Sequence, residues 1–482
     1  MSILDLNQPN FKYFEEISQI PRASFHEEKI ADYLVAFAKE HNLWYNRDEI
    51  NNVIIKKPAS PDKVNSEPII LQAHTDMVCV KDVGSNHDFS KDPLELFIEN
   101  GLLGAKNTTL GADDGAGVAN ILAILSDDSI QHPPLECVFT VQEEDGVGGA
   151  KGLNYSLLTA KRMIGLDGTG EGETIFCASG VIGLKFKKII KWEENNVENI
   201  FYKINISGLR SGHGAVNIGD ERANAIKLMA RILYHIKEEF NIKLVDINGG
   251  SLANVIARDS EAIIAVNKED ASSIKEIIEE IYNEIKVEYI ETDENIKIEI
   301  SDVNVDSINK VITEECTDEI ISLCYVMPHG LFSRNPEKPE EYRVSCNFSI
   351  LNIINNEITF TNVCRTCQPG NVKELAERVK AIAKPYDTSY DVFYDYAGHL
   401  VDKNTPLTKL YEKVYKEKTG KELARIHIHC GLDIGTIYNG MKGLDIIVLM
   451  PAVYNVHTIN ERLDLASFKR SLEYIKGILA LA

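Results

Sequence analysis

Ile69-Ile-Leu-Gln-Ala-His-Thr-Asp76 is an apolar run that stops on a histidine and an aspartate. Its apolar residues do not alternate with polar ones, which predicts a strand buried on both faces, as in a parallel sheet. His74 and Asp76 stand two positions apart, so the period of two along a strand sends them to the same side. In open α/β sheets ligands lie beyond the carboxyl ends of the strands. The question for the rest of the chain is whether other strand ends bring similar donors to this edge.

Downstream, Cys137–Val141 and Met163–Leu166 read as further strands. The first runs into Gln142-Glu-Glu-Asp-Gly146 and the second into Asp167-Gly168. Between them and the opening strand lies Thr108-Thr-Leu-Gly-Ala-Asp-Asp-Gly-Ala-Gly117, which leads into a helix with Val118, Ile121, Leu122 and Leu125 on one face. Upstream, Val53–Lys56 reads as a strand. Ser24 and Glu27 have capping-box spacing before an amphipathic first helix carrying Ile30, Tyr33, Leu34 and Phe37. Lys81 to Thr109 is irregular, broken by Pro93, Gly101 and Gly104. Near the other end, Leu407–Lys418 reads as a helix and Leu444–Leu449 as a buried strand. His457 and Glu461 lie beyond that strand, before a last helix over Leu465–Leu481.

The texture differs between residues 186 and 396. Phe201–Ile206, a helix over Ala223–Glu239, Leu252–Ala257, Ala262–Val266, a helix over Ser272–Ile285 and Ile296–Ile300 spell β-α-β-β-α-β. A helix near Ser307–Leu323, strands at Arg343–Leu351 and Glu357–Val363, a helix over Val372–Ala383 and a strand at Tyr390–Tyr394 spell α-β-β-α-β, an incomplete second copy. The expected architecture is therefore α/β. A mixed, mostly parallel sheet flanked by helices comes from residues 1–185 plus 397–482, and a two-layer α+β lid of duplicated ferredoxin-like units is inserted at 186–396.

Length and charge narrow the function. At 482 residues the chain exceeds one core. A formal charge of -22 speaks against nucleic acid and anionic membrane surfaces, which need basic patches. No apolar run reaches the roughly 20 residues of a membrane span. The opening Met-Ser-Ile-Leu-Asp lacks the basic and apolar regions of a signal peptide. Nine scattered cysteines fit reduced thiols in a cytoplasm, and Cys364-x-x-Cys367 has no second pair to complete a zinc site.

Acids are common at turns and helix starts, so each of His74, Asp76, Asp113, Asp114, Glu143, Glu144, Asp167 and His457 has an ordinary reading by itself. Together they sit at or beyond the ends of several strands. Imidazoles and carboxylates are the donors a divalent metal wants, and are costly to crowd together without a cation.

These motifs resemble those of the aminoacyl-histidine dipeptidases, also called β-Ala-His dipeptidases or carnosinases. They are one branch of the co-catalytic metallopeptidases that include carboxypeptidase-G2-like enzymes and tripeptidases. The resemblance spans nearly the whole chain. It is strongest at Leu71-Gln-Ala-His-Thr-Asp-Met-Val78, Thr109-Leu-Gly-Ala-Asp-Asp-Gly115, Val141-Gln-Glu-Glu144, Gly165-Leu-Asp167 and Ser251-Leu-Ala-Asn-Val-Ile-Ala-Arg258, while the histidyl-dipeptidase branch rests on the large middle domain and Gly431-Leu-Asp-Ile-Gly435. It implies two divalent metal ions, Zn²⁺ first with Mn²⁺ or Co²⁺ as alternatives. Asp113 would bridge them, His74 and Asp167 would complete one site, and Glu144 and His457 the other. Glu143 would be the general base, and Asp76 would orient His74 from behind. A cis peptide is implied after Asp113.

Ser211-Gly-His-Gly214 resembles the family's Gly-His-Ser-Gly, with Gly214 where Ser is usual. His213 would then donate to the oxyanion. Asn254, Arg258, Asn347 and Arg365 are candidates for the substrate carboxylate, and Arg365 is preferred because it sits just past a strand end. His429 would line the pocket. Thr458-Ile-Asn-Glu-Arg462 departs from the family's Ser-Pro-Asp-Glu-Arg but keeps His457 before it and Glu461 within it. The expected activity is hydrolysis of dipeptides, Xaa-His included, with a short peptide as partner; a homodimer is left open. The alternatives are a tripeptidase, aminoacylase or N-deacetylase on the same metal core, or a non-catalytic metal-dependent binding protein.

Overall fold

The computed structural model describes residues 2–196, 199–303, 308–368, 371–402 and 404–482. The chain divides into two compact units, Met1–Ala178 with Tyr396–Ala482, and Ser179–Asp395. The joint expected after residue 185 falls inside the strand Gly180–Ile189, which belongs wholly to the second unit.

The first unit is organised on a six-stranded sheet. Its order is Trp44–Arg47, Val53–Lys57, Leu135–Thr140, Ile69–His74, Arg162–Gly165, Asp445–Val448. The last four run parallel, and Val53–Lys57 is antiparallel to both of its neighbours, Trp44–Arg47 and Leu135–Thr140. Ile69–His74 sits in the parallel part and is buried at every position, which is why its apolar residues do not alternate. Gln72, the polar member of the run, donates from Nε2 to Thr140 Oγ1 at 3.1 Å on the neighbouring strand. Helices Pro9–Ile17, Glu28–Glu40, Ala112–Ser126, Pro406–Thr419 and Leu465–Leu481 share one core with this sheet. Asp445–Val448 lies beside Arg162–Gly165, so the two ends of the chain complete a single sheet.

Two local readings change. Glu28–Glu40 is the second helix, and neither Ser24 nor Glu27 caps it. Ser24 Oγ donates instead to Asp76 Oδ2 at 2.7 Å, and Glu27 Oε1 accepts from Gln142 N at 3.0 Å. The stretch read as irregular also carries a hairpin, Leu96–Glu99 with Leu102–Ala105, turning at Asn100 and Gly101, both at positive φ.

The second unit is a two-layer α+β body. Its sheet runs Lys297–Val303, Asn199–Ser207, Ser260–Asn267, Ile242–Gly249, Tyr342–Ile354, Glu357–Thr366, Gly180–Ile189, Ser389–Tyr396, with Gly330–Arg334 added alongside Tyr342–Ile354. Helices Ala271–Glu288, Ala225–Glu239, Glu314–Val326 and Asn371–Ala383 touch in that sequence and share one core with the sheet. Each half shows the 4-1-3-2 strand order of a β-α-β-β-α-β unit. The second copy is thus complete. Its first strand, Gly180–Ile189, precedes the first copy in the chain, so the first copy is inserted into the second. The copies meet where Ile242–Gly249 pairs antiparallel with Tyr342–Ile354.

The strand expected at Leu252–Ala257 is a loop, and the strand filling that place is Ile242–Gly249. Gly250, at φ +68, ends it. The expected helix start at Ser307 lies outside the described residues; the helix present is Glu314–Val326.

Candidate metal centre

Four parallel strands aim their carboxyl ends at one edge of the first unit. Ile69–His74 ends on His74 itself. Leu135–Thr140 leads through Val141 and Gln142 to Glu143 and Glu144, and Arg162–Gly165 leads to Asp167. Asp445–Val448 leads, through a longer loop, to His457. Asp113 comes from the start of the Ala112–Ser126 helix, where Asp113 (ψ 110) and Asp114 (φ -108, ψ 37) leave helical geometry and the peptide between them is cis.

These side chains converge on Asp113. His74 Nε2 lies 3.1 Å from Asp113 Oδ1, and His457 Nε2 lies 3.3 Å from Asp113 Oδ2. The same His457 nitrogen is 3.0 Å from Glu144 Oε2. Donor atoms of His74, Asp113 and Asp167 lie within 4.8 Å of one another, and so do those of Asp113, Glu144 and His457. Asp113 is the member common to both groups.

Asp76 is fully buried and bonds to several neighbours besides Ser24. His74 Nδ1 lies 3.1 Å from the Asp76 carbonyl oxygen and 3.5 Å from its Oδ1. The Asp76 carboxylate also accepts from Glu143 N at 3.0 Å and Glu144 N at 3.3 Å. It therefore ties the turn bearing both glutamates to the strand bearing His74. Glu27 fixes the same turn one residue earlier, at Gln142, which is held at φ 56. Sequence spacing suggests a capping box for Ser24 and Glu27; only the contact with a distant turn reveals their use.

The electrostatics are those of a place built for cations. Burial is the main cause pushing the carboxyls of Glu143, Glu144 and Asp167 upward; repulsion from Asp167 adds to it at Glu143, and repulsion from Asp113 adds to it at Glu144 and Asp167. Burial would lower both histidines, but Asp113 with Asp76 holds His74 well above the usual range, and Asp113 with Glu144 raises His457 to about 11. The Asp113 carboxyl is lowered: burial opposes this, and His457 and His74 overcome it. Protons here stand in for positive charge. Two imidazoles and a cluster of carboxylates form a donor set that suits a borderline divalent ion, so the residues present fit the implied metal.

Asp433, inside Gly431-Leu-Asp-Ile-Gly435, has no role that its sequence neighbours reveal. It is buried at the start of the Asp433–Gly440 helix. Burial is the main cause raising its pKa to about 7, and its charge in turn helps raise Glu143. His429 is buried in the loop before it, after the strand Ala424–Ile428.

In the second unit, His213, Asn254 and Asn347 come together. Gly214 N donates to Asn254 O at 2.6 Å, and Asn347 Nδ2 donates to Val255 O at 2.9 Å. A side chain at 214 would meet Asn347 Nδ2 at 2.6 Å, which explains the glycine there. His213 Nδ1 accepts from Ala215 N and Val216 N, both at 3.3 Å, which assigns the neutral ring's proton to Nε2. Arg365 does not lie beyond a strand end. It is inside Glu357–Thr366, paired with Ser345 and Val181, because the ladder continues through Thr366. Its side chain is buried. Arg258 is 64% exposed and pairs with Asp259 at 3.2 Å, an ordinary surface ion pair.

The chain is similar to several known peptidases. The description "peptidase dimerisation domain" matches residues 200–293. The cytosol non-specific dipeptidase of Escherichia coli (strain K12) is 30% identical over 462 residues, 95% of this chain and 94% of the relative. The crystal structure of aminoacylhistidine dipeptidase from Vibrio alginolyticus superposes with a TM-score of 0.83 at 27% identity, covering 98% of this chain and 96% of the other. A tripeptidase structure from Staphylococcus aureus shares the fold, with a TM-score of 0.57 at 17% identity over 100% of this chain and 99% of the other. Fold and relatives define the class as metal-dependent peptidases. The chain belongs to the M20 metallopeptidase family, in its aminoacyl-histidine and cytosol dipeptidase branch, and a divalent metal cofactor comes with that membership.

Proposed function

We propose that the protein hydrolyses dipeptides at a dinuclear centre, Xaa-His peptides of the β-Ala-His kind included. The observation that carries this is the membership of Asp113 in both three-donor groups. His74, Asp113 and Asp167 would hold one ion, and Asp113, Glu144 and His457 the other. Nitrogen and carboxylate donors suit Zn²⁺, with Mn²⁺ or Co²⁺ as alternatives. A pair of such ions, when bound, supplies a water of lowered pKa and polarises the peptide carbonyl.

The chain's own residues do the rest. Glu143 takes the proton of the attacking water and returns it to the departing amine. Asp76 keeps Glu143 and His74 in register by bonding to both. His213, with its proton on Nε2, suits a developing oxyanion. Arg365 and Asn254 suit a substrate carboxylate, whereas the Asn347 amide nitrogen already donates to the Ala253 and Val255 carbonyls; His429, in the first unit, is a separate candidate for substrate contact.

The Vibrio relative, an aminoacylhistidine dipeptidase, supports histidyl dipeptides as substrates, and the "non-specific" name of the Escherichia relative supports a broader set. Nine cysteines without a disulfide support a cytoplasmic setting. Among the described residues no helix is long and apolar enough to cross a membrane. A homodimer is supported by the matched domain's description, though the Ile242–Gly249 edge of that domain is already paired within the chain.

The test is a panel of Ala-His, β-Ala-His, other dipeptides, tripeptides and N-acyl amino acids, assayed with added Zn²⁺ or Mn²⁺. Cleavage confined to dipeptides is expected. No dipeptide cleavage with either metal would refute the reading, and preference for N-acyl amino acids would move the protein to the aminoacylases.

A further inference from the structure

The segment that presents Asp113 is gripped by two buried charges of opposite sign. Glu461 is 2% exposed, and its carboxylate accepts from four consecutive backbone N–H groups. Leu110 N and Gly111 N donate to Oε2 at 2.8 and 2.9 Å; Ala112 N and Asp113 N donate to Oε1 at 2.8 and 3.4 Å. Arg22 is 1% exposed and grips carbonyls. Its Nη1 donates to Thr75 O at 3.0 Å and Asp76 O at 3.2 Å, and its Nη2 to Gly111 O at 2.5 Å.

Gly111 is held from both sides, its N–H by the acid and its C=O by the base. It sits at φ +66, and a side chain there would meet Arg22 Nη2 at 2.5 Å and Met77 Sδ at 2.8 Å. The Gly111–Ala112 peptide alone joins the two charges, its C=O held by Arg22 and its N–H by Glu461. Arg22 joins this link to Thr75 and Asp76, the residues directly after His74. Glu461 belongs to the loop that carries His457, four residues on. Three of the proposed donors, His74, Asp113 and His457, are thus fastened to one buried frame.

The geometry points to Arg22 and Glu461 as positioning residues that fix the spacing of His74, Asp113 and His457 for metal binding. This rests on the proposed assignment of those three as ligands. Neither residue reaches the donor atoms themselves. Each acts through backbone groups flanking a ligand, so its loss lets Asp113 shift relative to the imidazoles. A frame of this kind spends two buried charges on a short loop, and the bonds to seven backbone groups offset their burial.

The experiment measures Zn²⁺ affinity of the metal-free full-length protein by competition with a chromophoric chelator, well below its melting temperature. Glu461→Gln keeps the shape and hydrogen-bonding length but turns one acceptor into a donor facing N–H groups. Arg22→Lys keeps the charge but cannot span the Gly111 carbonyl and those of Thr75 and Asp76 at once. Each is expected to weaken Zn²⁺ binding by about 10- to 100-fold, the usual effect of losing a partner that orients a ligand.

Lys57→Met is the control. Lys57 caps the far end of the same Ala112–Ser126 helix, donating to Leu125 O at 3.0 Å and Asp127 O at 3.1 Å. It should lower the melting temperature and leave Zn²⁺ affinity unchanged. Should Glu461→Gln fail to fold, Arg22→Lys decides by the same comparison. Wild-type affinity in both frame variants, or an equal loss in Lys57→Met, overturns the inference while leaving the ligand assignment standing. A wild type that takes up no Zn²⁺, or an Asp113→Asn variant that binds it as tightly as wild type, overturns both.

Discussion

The two halves of the proposed metal centre share Asp113 and differ in almost everything else. The half with His74 and Asp167 is set on strand ends in the middle of a parallel sheet, and His74 is 1% exposed. The other half pairs Glu144, on a turn, with His457, which is 48% exposed and sits in a loop at φ 65. A buried, strand-mounted ligand loses little freedom on binding, whereas a loop-mounted one must be ordered. The difference predicts that the proposed ions are held unequally, the one at His74 and Asp167 more firmly than the one at Glu144 and His457.

The severest challenge to that contrast is Asp113→Asn, which strikes both halves. Metal content after gel filtration should fall to background along with turnover; retention of one full equivalent would mean that Asp113 serves a single site. Next comes Glu143→Ala. It should lower kcat by about 100- to 10,000-fold, the range for losing a general base, with metal content unchanged. Loss of metal instead would make Glu143 a ligand.

The contrast itself is probed by limiting chelator. Removal of metal should be biphasic, and His457→Ala should abolish the fast phase while His74→Ala removes the slow one. A single phase in wild type would make the halves equivalent.

Proton competition gives a gentler test. In the metal-free protein His457 holds its proton to about 11 and Asp167 is pushed upward, chiefly by burial and then by Asp113. Metal must displace those protons, so affinity should rise with pH across the neutral range, and calorimetry in buffers of different ionisation enthalpy should detect their release. A pH-independent affinity contradicts the protonation pattern.

The smallest effect lies outside the centre. Glu171, paired with Arg470 and Tyr474, is lowered to about 2 although burial opposes this. Its folded pKa is below the unfolded value, so its contribution is complete above about 4.5 and disappears as pH falls toward 2. Glu171→Gln should cost no more than about 1 kcal/mol at neutral pH, given solvent screening. The difference from wild type in thermal melts should vanish only below about pH 2.

Much of this arrangement is legible in the sequence because the donors stand at strand ends in short motifs. Glu143 and Glu144 follow a strand whose apolar run is plain, and Asp167 follows another. What escapes depends on contacts between distant segments. Arg22 stands alone after a proline, and nothing local says that it reaches Thr75 and Gly111. Ser24 and Glu27 obey the spacing of a helix cap, yet the Ser24 hydroxyl donates to the buried Asp76 carboxylate and the Glu27 carboxylate accepts from the Gln142 backbone N–H, so both serve distant partners rather than the helix end. Leu252–Ala257 has the composition of a strand, but Gly250 at positive φ has already ended the strand before it. The second β-α-β-β-α-β copy reads as incomplete because its first strand is separated from the rest by the whole first copy, an interleaving that element order along the chain conceals.

That interleaving has a consequence for synthesis. The inserted copy is contiguous and can close its own sheet as soon as residue 303 has been made. Gly180–Ile189 has no such option, because its partners in the sheet are Glu357–Thr366 and Ser389–Tyr396. From its appearance on the ribosome until those strands emerge, an apolar ribbon carrying Val181, Ile182, Leu184 and Phe186 has no mate. Long-range pairing of this kind is slow and leaves a strand edge open to wrong neighbours. Lys185, Lys187 and Lys188 are spaced along this ribbon, and their charges are the ordinary protection against aggregation while the nascent chain waits.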